Sequence, residues 1–314
     1  MSRFLLRRIF FEMLPTLLGV ITLTWWMVRL APGGPFDTER PMTEGAKERL
    51  EQQFGFDKPL PVQFAQYLGN VARGDLGYSM IYRSTRVTEI IGQQFPTSLA
   101  LGGMAFLVAL GIGLPAGTIA AAFHNRGLDH AVMIPALFGI CLPAFVTGPL
   151  LLYLLANSQL LDKPLFLPAD WDSWRNMVLP VLTLAVGLAA YLARLMRAGM
   201  LEASTSDHIR TATAKGASPL RVVLVHTLRT GVRPVISFLG PAAAGIITGS
   251  VVVETIFQVP GLGRSFINAV TDRDYTLLLG ITLFYATLII VFNTVVDIIL
   301  AWLDPRTREE VAGP

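Results

Sequence analysis

Cysteine occurs once in 314 residues, at Cys141 inside an apolar run, which excludes any disulfide within the chain. Histidine is nearly as scarce. His124, His130, His208 and His226 have no metal-ligand spacing with one another, so no metal site is expected. The chain also lacks Gly-x-x-x-x-Gly-Lys-Ser/Thr: Lys215-Gly216 runs in the wrong order and follows no glycine-rich loop, so this polypeptide should not hydrolyse ATP itself. Charged residues make up only 15% against 53% hydrophobic, and the mean hydropathy is +0.54, outside the range of an ordinary soluble domain. The net charge of +3 comes from arginines near apolar runs and gives no support to a nucleic-acid partner.

What is present is apolar length. Windows at about 9–30, 97–122, 130–156, 177–199, 232–256 and 277–302 each approach the roughly 20 residues a spanning helix needs. The runs are continuously apolar rather than alternating, which excludes barrel strands. They predict an all-α integral membrane protein of six transmembrane helices, because a helix satisfies its backbone polar groups internally.

Basic residues near the helix ends set the orientation. Arg3, Arg7, Arg8, Arg126, Arg194, Arg197, Arg210, Lys215, Arg221, Arg229, Arg233, Arg306 and Arg308 all fall on one side of a six-span topology. The opposite short loops hold Lys163, Arg175, Arg264 and Arg273, offset by Asp162, Asp170, Asp172, Asp272 and Asp274. Both termini are therefore expected in the cytoplasm. The first apolar run is long and has no small-x-small cleavage site after it, so residues 1–30 read as a retained anchor.

Residues 31–96 are too polar to span and read as an outer cap. Thr43 can cap a helix over about 44–54 with Gly55 as its left-handed stop, a second helix covers 62–72, and a third over about 85–95 runs into Pro96. The membrane core is expected over 97–303 and a cytoplasmic tail over 304–314. Within the core, an inner loop at about 200–231 divides at Gly216 into helices of about 206–215 and 219–230. Ser206 or Asp207 can cap the earlier helix, and Ser218 followed by Pro219 suits the start of the later one. Ile209, Ala212, Thr213 and Gly216 share one stripe, whose small residues would let a partner groove approach. The alternative is an amphipathic linker lying on lipid headgroups.

A second region of interest runs from Gly249 through Glu254 to Pro260, Gly261 and Gly263, an apolar helix end with a carboxylate and a proline-glycine break. Irregular backbone is tolerated at membrane depth where it lines a cavity or is buried in protein, so this region is a candidate gate. Glu254 either contacts substrate or the binding partner, or simply snorkels to water. Asn293 and Asp297, four apart on the last span, share a face and are candidate pathway residues; Asp297 could equally sit at the inner interface or pair with an arginine. Gly113/Gly117 and Gly245/Gly249 are close-packing candidates.

The inner loop Arg210-Thr211-Ala212-Thr213-Ala214-Lys215-Gly216-Ala217-Ser218-Pro219 resembles the coupling loop of binding-protein-dependent ABC importer permeases, in the form seen in their peptide/nickel subfamily. The family's general pattern of Glu-Ala-Ala, glycine and Ile-x-Leu-Pro is only partly kept, with Arg210-Thr211-Ala212, Gly216 and His226-Thr227-Leu228-Arg229 in its places. Pro32-Gly33-Gly34-Pro35, Phe54 to Gln63, Gly74 to Ser79, Ala193 to Arg197, Val253 to Phe257, Pro260 to Gly263, Asp272 to Tyr275 and Leu303 to Arg306 are similar, in this order, to the B-type subunit of oligopeptide and dipeptide permeases.

The resemblance implies a type I ABC importer permease fold and a multi-pass subunit of a bacterial inner membrane. It implies partners as well: a homologous C-type permease, two ATPase subunits that carry ATP and Mg, and an external substrate-binding protein. No cofactor is expected on this chain. The coupling contact falls to Arg210, Thr211, Ala212, Ala214, Lys215, Gly216, Ser218 and Leu228. Short peptides are the expected cargo, with nickel complexes, opines or sugars as alternatives. A self-powered secondary transporter would show a repeat with paired broken helices, and a membrane enzyme a nucleophile–base or metal set; neither pattern is found.

Overall fold

In the computed structural model, residues 9–35, 44–82, 85–156, 171, 173–248 and 250–303 are described. A π-helical turn, Ile9–Met13, leads into α1 (Leu14–Leu30), followed by α2 (Glu44–Gln53), α3 (Leu60–Ala72) and α4 (Val87–Ala122). Next come α5 (Gly127–Cys141), α6 (Ala144–Leu151) with a π-helical extension Leu152–Ala156, and α7 (Trp174–Ser204). The inner loop contains α8 (Asp207–Ala214), α9 (Pro219–Arg221), a π segment Val222–Thr227 and α10 (Leu228–Gly231). The chain ends with α11 (Arg233–Thr248), α12 (Val251–Ile256), α13 (Leu262–Thr271) and α14 (Tyr275–Leu303).

Five helical stretches among the described residues are long and apolar enough to cross a membrane: Phe11–Leu30, Val87–Ala122, Trp174–Ser204, Arg233–Ile256 and Tyr275–Ile299. A sixth exists if α5 and its continuation to Leu155 count as one span, but the two halves are bent by 108°. Pro143 causes the bend. It has no N–H to continue the helix and it drives Leu142 out of the helical region, to φ −86° and ψ 114°. The single helix expected over 130–156 is thus two.

Pro96 has the opposite outcome. The sequence suggests a helix ending there, yet α4 runs through it from Val87, so the expected separate helix over 85–95 is the first part of a 36-residue helix. One lost backbone bond is small against the many that remain. The Gly55 stop is present, with φ +69°, while the proposed Thr43 cap lies outside the described residues.

The chain forms two compact units: residues 1–96 with 264–288, and residues 97–263 with 289–314. The first has a small apolar core of Val28, Met80 and Tyr275, packed by Phe54, Phe56 and Leu278. Beside it Asp274, 1% exposed, starts α14: its Oδ1 accepts from Leu277 N at 3.0 Å and from Met80 N at 3.1 Å, while Oδ2 accepts from Ser79 Oγ and from Ile81 N at 3.3 Å. A negative charge at a helix N-terminus also suits the backbone dipole. That one carboxylate therefore ties the 79–81 turn to the last helix.

The second unit is built around α7, whose Leu179, Leu192, Met196 and Met200 are fully buried. Helix α4 approaches it at Gly113 and Gly117, where an added Cβ would meet Ala189 O at 2.7 Å and Ala193 O at 2.3 Å. Small residues permit this backbone contact, which in lipid replaces hydrophobic burial as the source of helix association. Gly245 has no atom within 4 Å of where a methyl would stand, and its partner in the spacing, Gly249, lies outside the described residues.

Candidate coupling segment and proline-glycine break

Both regions singled out in the sequence lie in the second unit. In the inner loop, α8 ends in a left-handed Gly216 with φ +81°. Gly216 N bonds Thr213 O at 3.0 Å and Ala217 N bonds Ala212 O at 3.2 Å, the paired closure of a Schellman motif. No atom lies within 4 Å of where a Cβ would stand, so the glycine is required by backbone angle and not by space. Helix α9 then starts at Pro219.

Ser206 and Ser218 occupy the cap positions with extended backbones, but neither forms a side-chain cap bond. Ser206 Oγ instead donates back to Ala203 O at 2.5 Å. The helix boundaries agree with the sequence, while the capping bonds expected there do not form.

Of the expected docking stripe, Ile209 is buried and anchors the segment, Ala212 is half-buried, and Thr213 and Gly216 are exposed. Arg210, Thr211, Ala214, Lys215 and Ser218 are exposed as well, with Leu220 at 69%. The knuckle therefore presents small and basic groups around its turn, with one large apolar side chain beside them. Leu228, half-buried, lies on the return limb.

That limb is held by a contact with no signature in the sequence. A Cβ on Gly199 would stand 2.3 Å from Gly231 O, and one on Gly231 would stand 2.9 Å from Met200 Cα. Helices α7 and α10 thus cross backbone against backbone. Two isolated glycines 32 residues apart carry no spacing signal.

At the other region, Glu254 does not snorkel to water: it is 0% exposed. Its Oε1 accepts from Ser250 Oγ at 2.5 Å and its Oε2 from Gly263 N at 2.8 Å. Ser98 Oγ accepts from Leu262 N at 2.8 Å. A Cβ on Gly261 would stand 2.3 Å from Glu254 Oε2 and 2.6 Å from Ser98 Oγ, so only glycine fits between them. Burial of the carboxyl is sustained because it satisfies the backbone of the break. Gly261 and Gly263 are buried, whereas Pro260 is exposed.

Asn293 and Asp297 are half-buried on α14. Asn293 Oδ1 is buried without a hydrogen-bond partner and faces Gly240 of α11, where a Cβ would stand 3.3 Å from it. Among the described residues no group of three or more His, Cys, Asp or Glu could hold a metal.

One charged pair emerges only from the structure. Asp129, 2% exposed at the start of α5, takes a two-pronged contact from Arg197 of α7: Nε to Oδ1 at 2.7 Å and Nη2 to Oδ2 at 2.7 Å. Asn125 N adds a bond to Oδ2 at 2.9 Å, and His124 Nδ1 lies 3.0 Å from Arg197 Nη2. Planar paired geometry of this kind is specific to arginine. Asp129→Asn is expected to lower stability by about 2 kcal/mol, since it leaves a largely buried guanidinium without its anion. The combined Asp129→Leu, Arg197→Met variant should recover most of that loss in thermal unfolding of the detergent-solubilised protein. Equal losses in both variants would disprove the pairing argument.

Residues 113–309 match the family model described as "Binding-protein-dependent transport system inner membrane component". The chain is 40% identical over 311 residues to an oligopeptide transport system permease protein OppB of Haemophilus influenzae, covering 98% of this chain and 100% of that one. It is 40% identical over 313 residues to a dipeptide transport system permease protein DppB of Bacillus subtilis, covering 100% of both. Among solved structures, the inward-facing MetNI methionine ABC transporter aligns with a TM-score of 0.55 at 16% identity, over 68% of this chain and 96% of that chain.

Proposed function

This chain belongs to the binding-protein-dependent transport system inner membrane components, and from that premise we propose that it is a pore-forming permease subunit of an ATP-driven importer of oligopeptides or dipeptides. Similarity along the entire length to oligopeptide and dipeptide permeases carries this reading. The chain supplies a lipid-facing conduit and no nucleotide motif, so energy must come from separate ATPase subunits. An external binding protein would deliver the peptide, and a homologous C-type subunit would complete the pore.

The exposed turn at Gly216 suits the ATPase contact. It is held to α7 at the Gly199–Gly231 crossing, so a displacement of the knuckle moves a spanning helix as one body. Arg210, Thr211, Ala214, Lys215 and Ser218 face outward for docking, with Ala212 and Leu228 behind them. This orientation places the knuckle and both termini in the cytoplasm. Glu254, Pro260, Gly261, Gly263, Asn293 and Asp297 are proposed as parts of the moving gate and its packing, not as cargo ligands.

The test is uptake by proteoliposomes holding the assembled transporter. Gly216→Pro cannot adopt φ +81° and removes the N–H that bonds Thr213 O, and Ala214→Trp blocks close approach without touching the core. Both are expected to cut ATP-driven dipeptide uptake at least about tenfold, the equivalent of roughly 1.4 kcal/mol of coupling, with membrane insertion unchanged. Normal uptake in both variants would refute the coupling role.

A further inference from the structure

The first unit contains a cavity of about 280 Å³, lined among others by Trp25, Arg29, Gln63, Tyr67, Asp75 and Tyr275. Its chemistry is unusual for a packing defect. Arg29 is half-buried with its guanidinium 3.9 Å from the Phe56 ring centroid, 5.3 Å from that of Trp25 and 5.9 Å from that of Tyr275. Stacking on ring faces holds the cation in place and leaves its N–H edges available. Among the described residues no carboxylate forms an ion pair with it.

Two oxygens of lining residues are likewise unsatisfied. Tyr67 Oη and Gln63 Oε1 are buried without a hydrogen-bond partner. Gln63 is fixed by its amide nitrogen, which donates to Lys58 O at 2.6 Å and Phe56 O at 3.2 Å, so its oxygen cannot turn away to find one. Burial pushes the Tyr67 phenol up to about 12, so it remains a proton donor at neutral pH. Asp75, exposed, has one carboxylate oxygen on Gly77 N at 2.9 Å and supplies negative charge to the same lining.

An unpaired cation, a spare donor, a spare acceptor and a separate carboxylate suit a small molecule charged at both ends. We propose that this cavity binds a short zwitterionic peptide, its terminal carboxylate on Arg29 and Tyr67 and its ammonium toward Gln63 and Asp75. The volume lies at the small end of ligand pockets, about 300–1,000 Å³, which limits the occupant to about one or two residues. The choice of a peptide over another zwitterion rests on the proposed cargo. The site would be a holding position on the permease itself, separate from the binding protein.

The test is calorimetric titration of the assembled transporter, without binding protein, using L-alanyl-L-alanine and its C-terminal amide. The free dipeptide should bind about tenfold more tightly than the amide, the effect of a lost charged hydrogen bond. Arg29→Gln should remove this preference. Tyr67→Phe deletes an oxygen that has no partner in the protein, so the melting temperature should be unchanged while dipeptide affinity drops about fivefold.

Equal binding of dipeptide and amide, absence of binding, or wild-type affinity in both variants would overturn the site. Uptake by the complete system separates this from the cargo reading. Peptide uptake with no binding here eliminates only the site, whereas binding here with no peptide uptake eliminates only the proposed cargo.

Discussion

Glu254→Ala is expected to lower the stability of the permease by about 3 kcal/mol and to abolish transport. The substitution leaves Gly263 N buried with no acceptor and opens a void where the carboxyl stood. Ser250 suffers less, because its hydroxyl also reaches Ile247 O at 2.9 Å. The loss should therefore localise to the turn at 259–263, where Val259 N bonds Glu254 O at 2.9 Å and Gly261 N bonds Val259 O at 2.8 Å. Glu254→Gln keeps one acceptor for Gly263 and turns an amide toward a hydroxyl that can receive it, so its cost should be about 1 kcal/mol. Thermal unfolding of the purified protein, with labelled-peptide uptake, measures both. If the alanine variant melts with the wild type, the carboxyl does not hold the break.

Gly199→Val is the second large effect, an expected loss of about 3 kcal/mol with uncoupling of ATP hydrolysis from uptake. A Cβ 2.3 Å from a backbone carbonyl cannot be relieved by a rotamer change, so α7 and α10 must separate. Separation would allow the knuckle to move without carrying the spanning helix. Hydrolysis should thus continue while uptake falls, a signature that simple misfolding does not give. Gly245→Ala is the control, since no atom lies within 4 Å of the added methyl. Retained coupling in Gly199→Val would show that the crossing transmits nothing.

The spans are legible in the sequence because length and apolarity need no knowledge of partners. Hydropathy is blind to direction, however, and the stretch around Pro143 is apolar on both sides of a 108° bend. Pro143 itself is the available signal, but apolar neighbours on either side make its surroundings resemble any other span. Pro96 misleads in the opposite sense: proline ends a helix only when packing on the far side does not continue it. The inner loop is readable from Gly216, a local conformational demand. The bonds that assemble the second unit are not. Asp129 meets Arg197 across 68 residues and Ser98 meets Leu262 across 164, distances over which one sequence has no periodicity to offer. A charged residue inside an apolar run does predict some partner. It does not say which one.

The wide turn at Val222–Thr227 has a consequence for how this loop can change length. Thr227 Oγ1 reaches back five positions to Val222 O at 3.1 Å, so this stretch accommodates a residue beyond the ordinary spiral. Excising one position there would let the strand of chain close into regular winding with its flanks nearly in phase. The same excision in Asp207–Ala214 would swing every later side chain by about 100° around the axis. The return limb is thus where a neighbouring subunit of different reach could be accommodated at least cost.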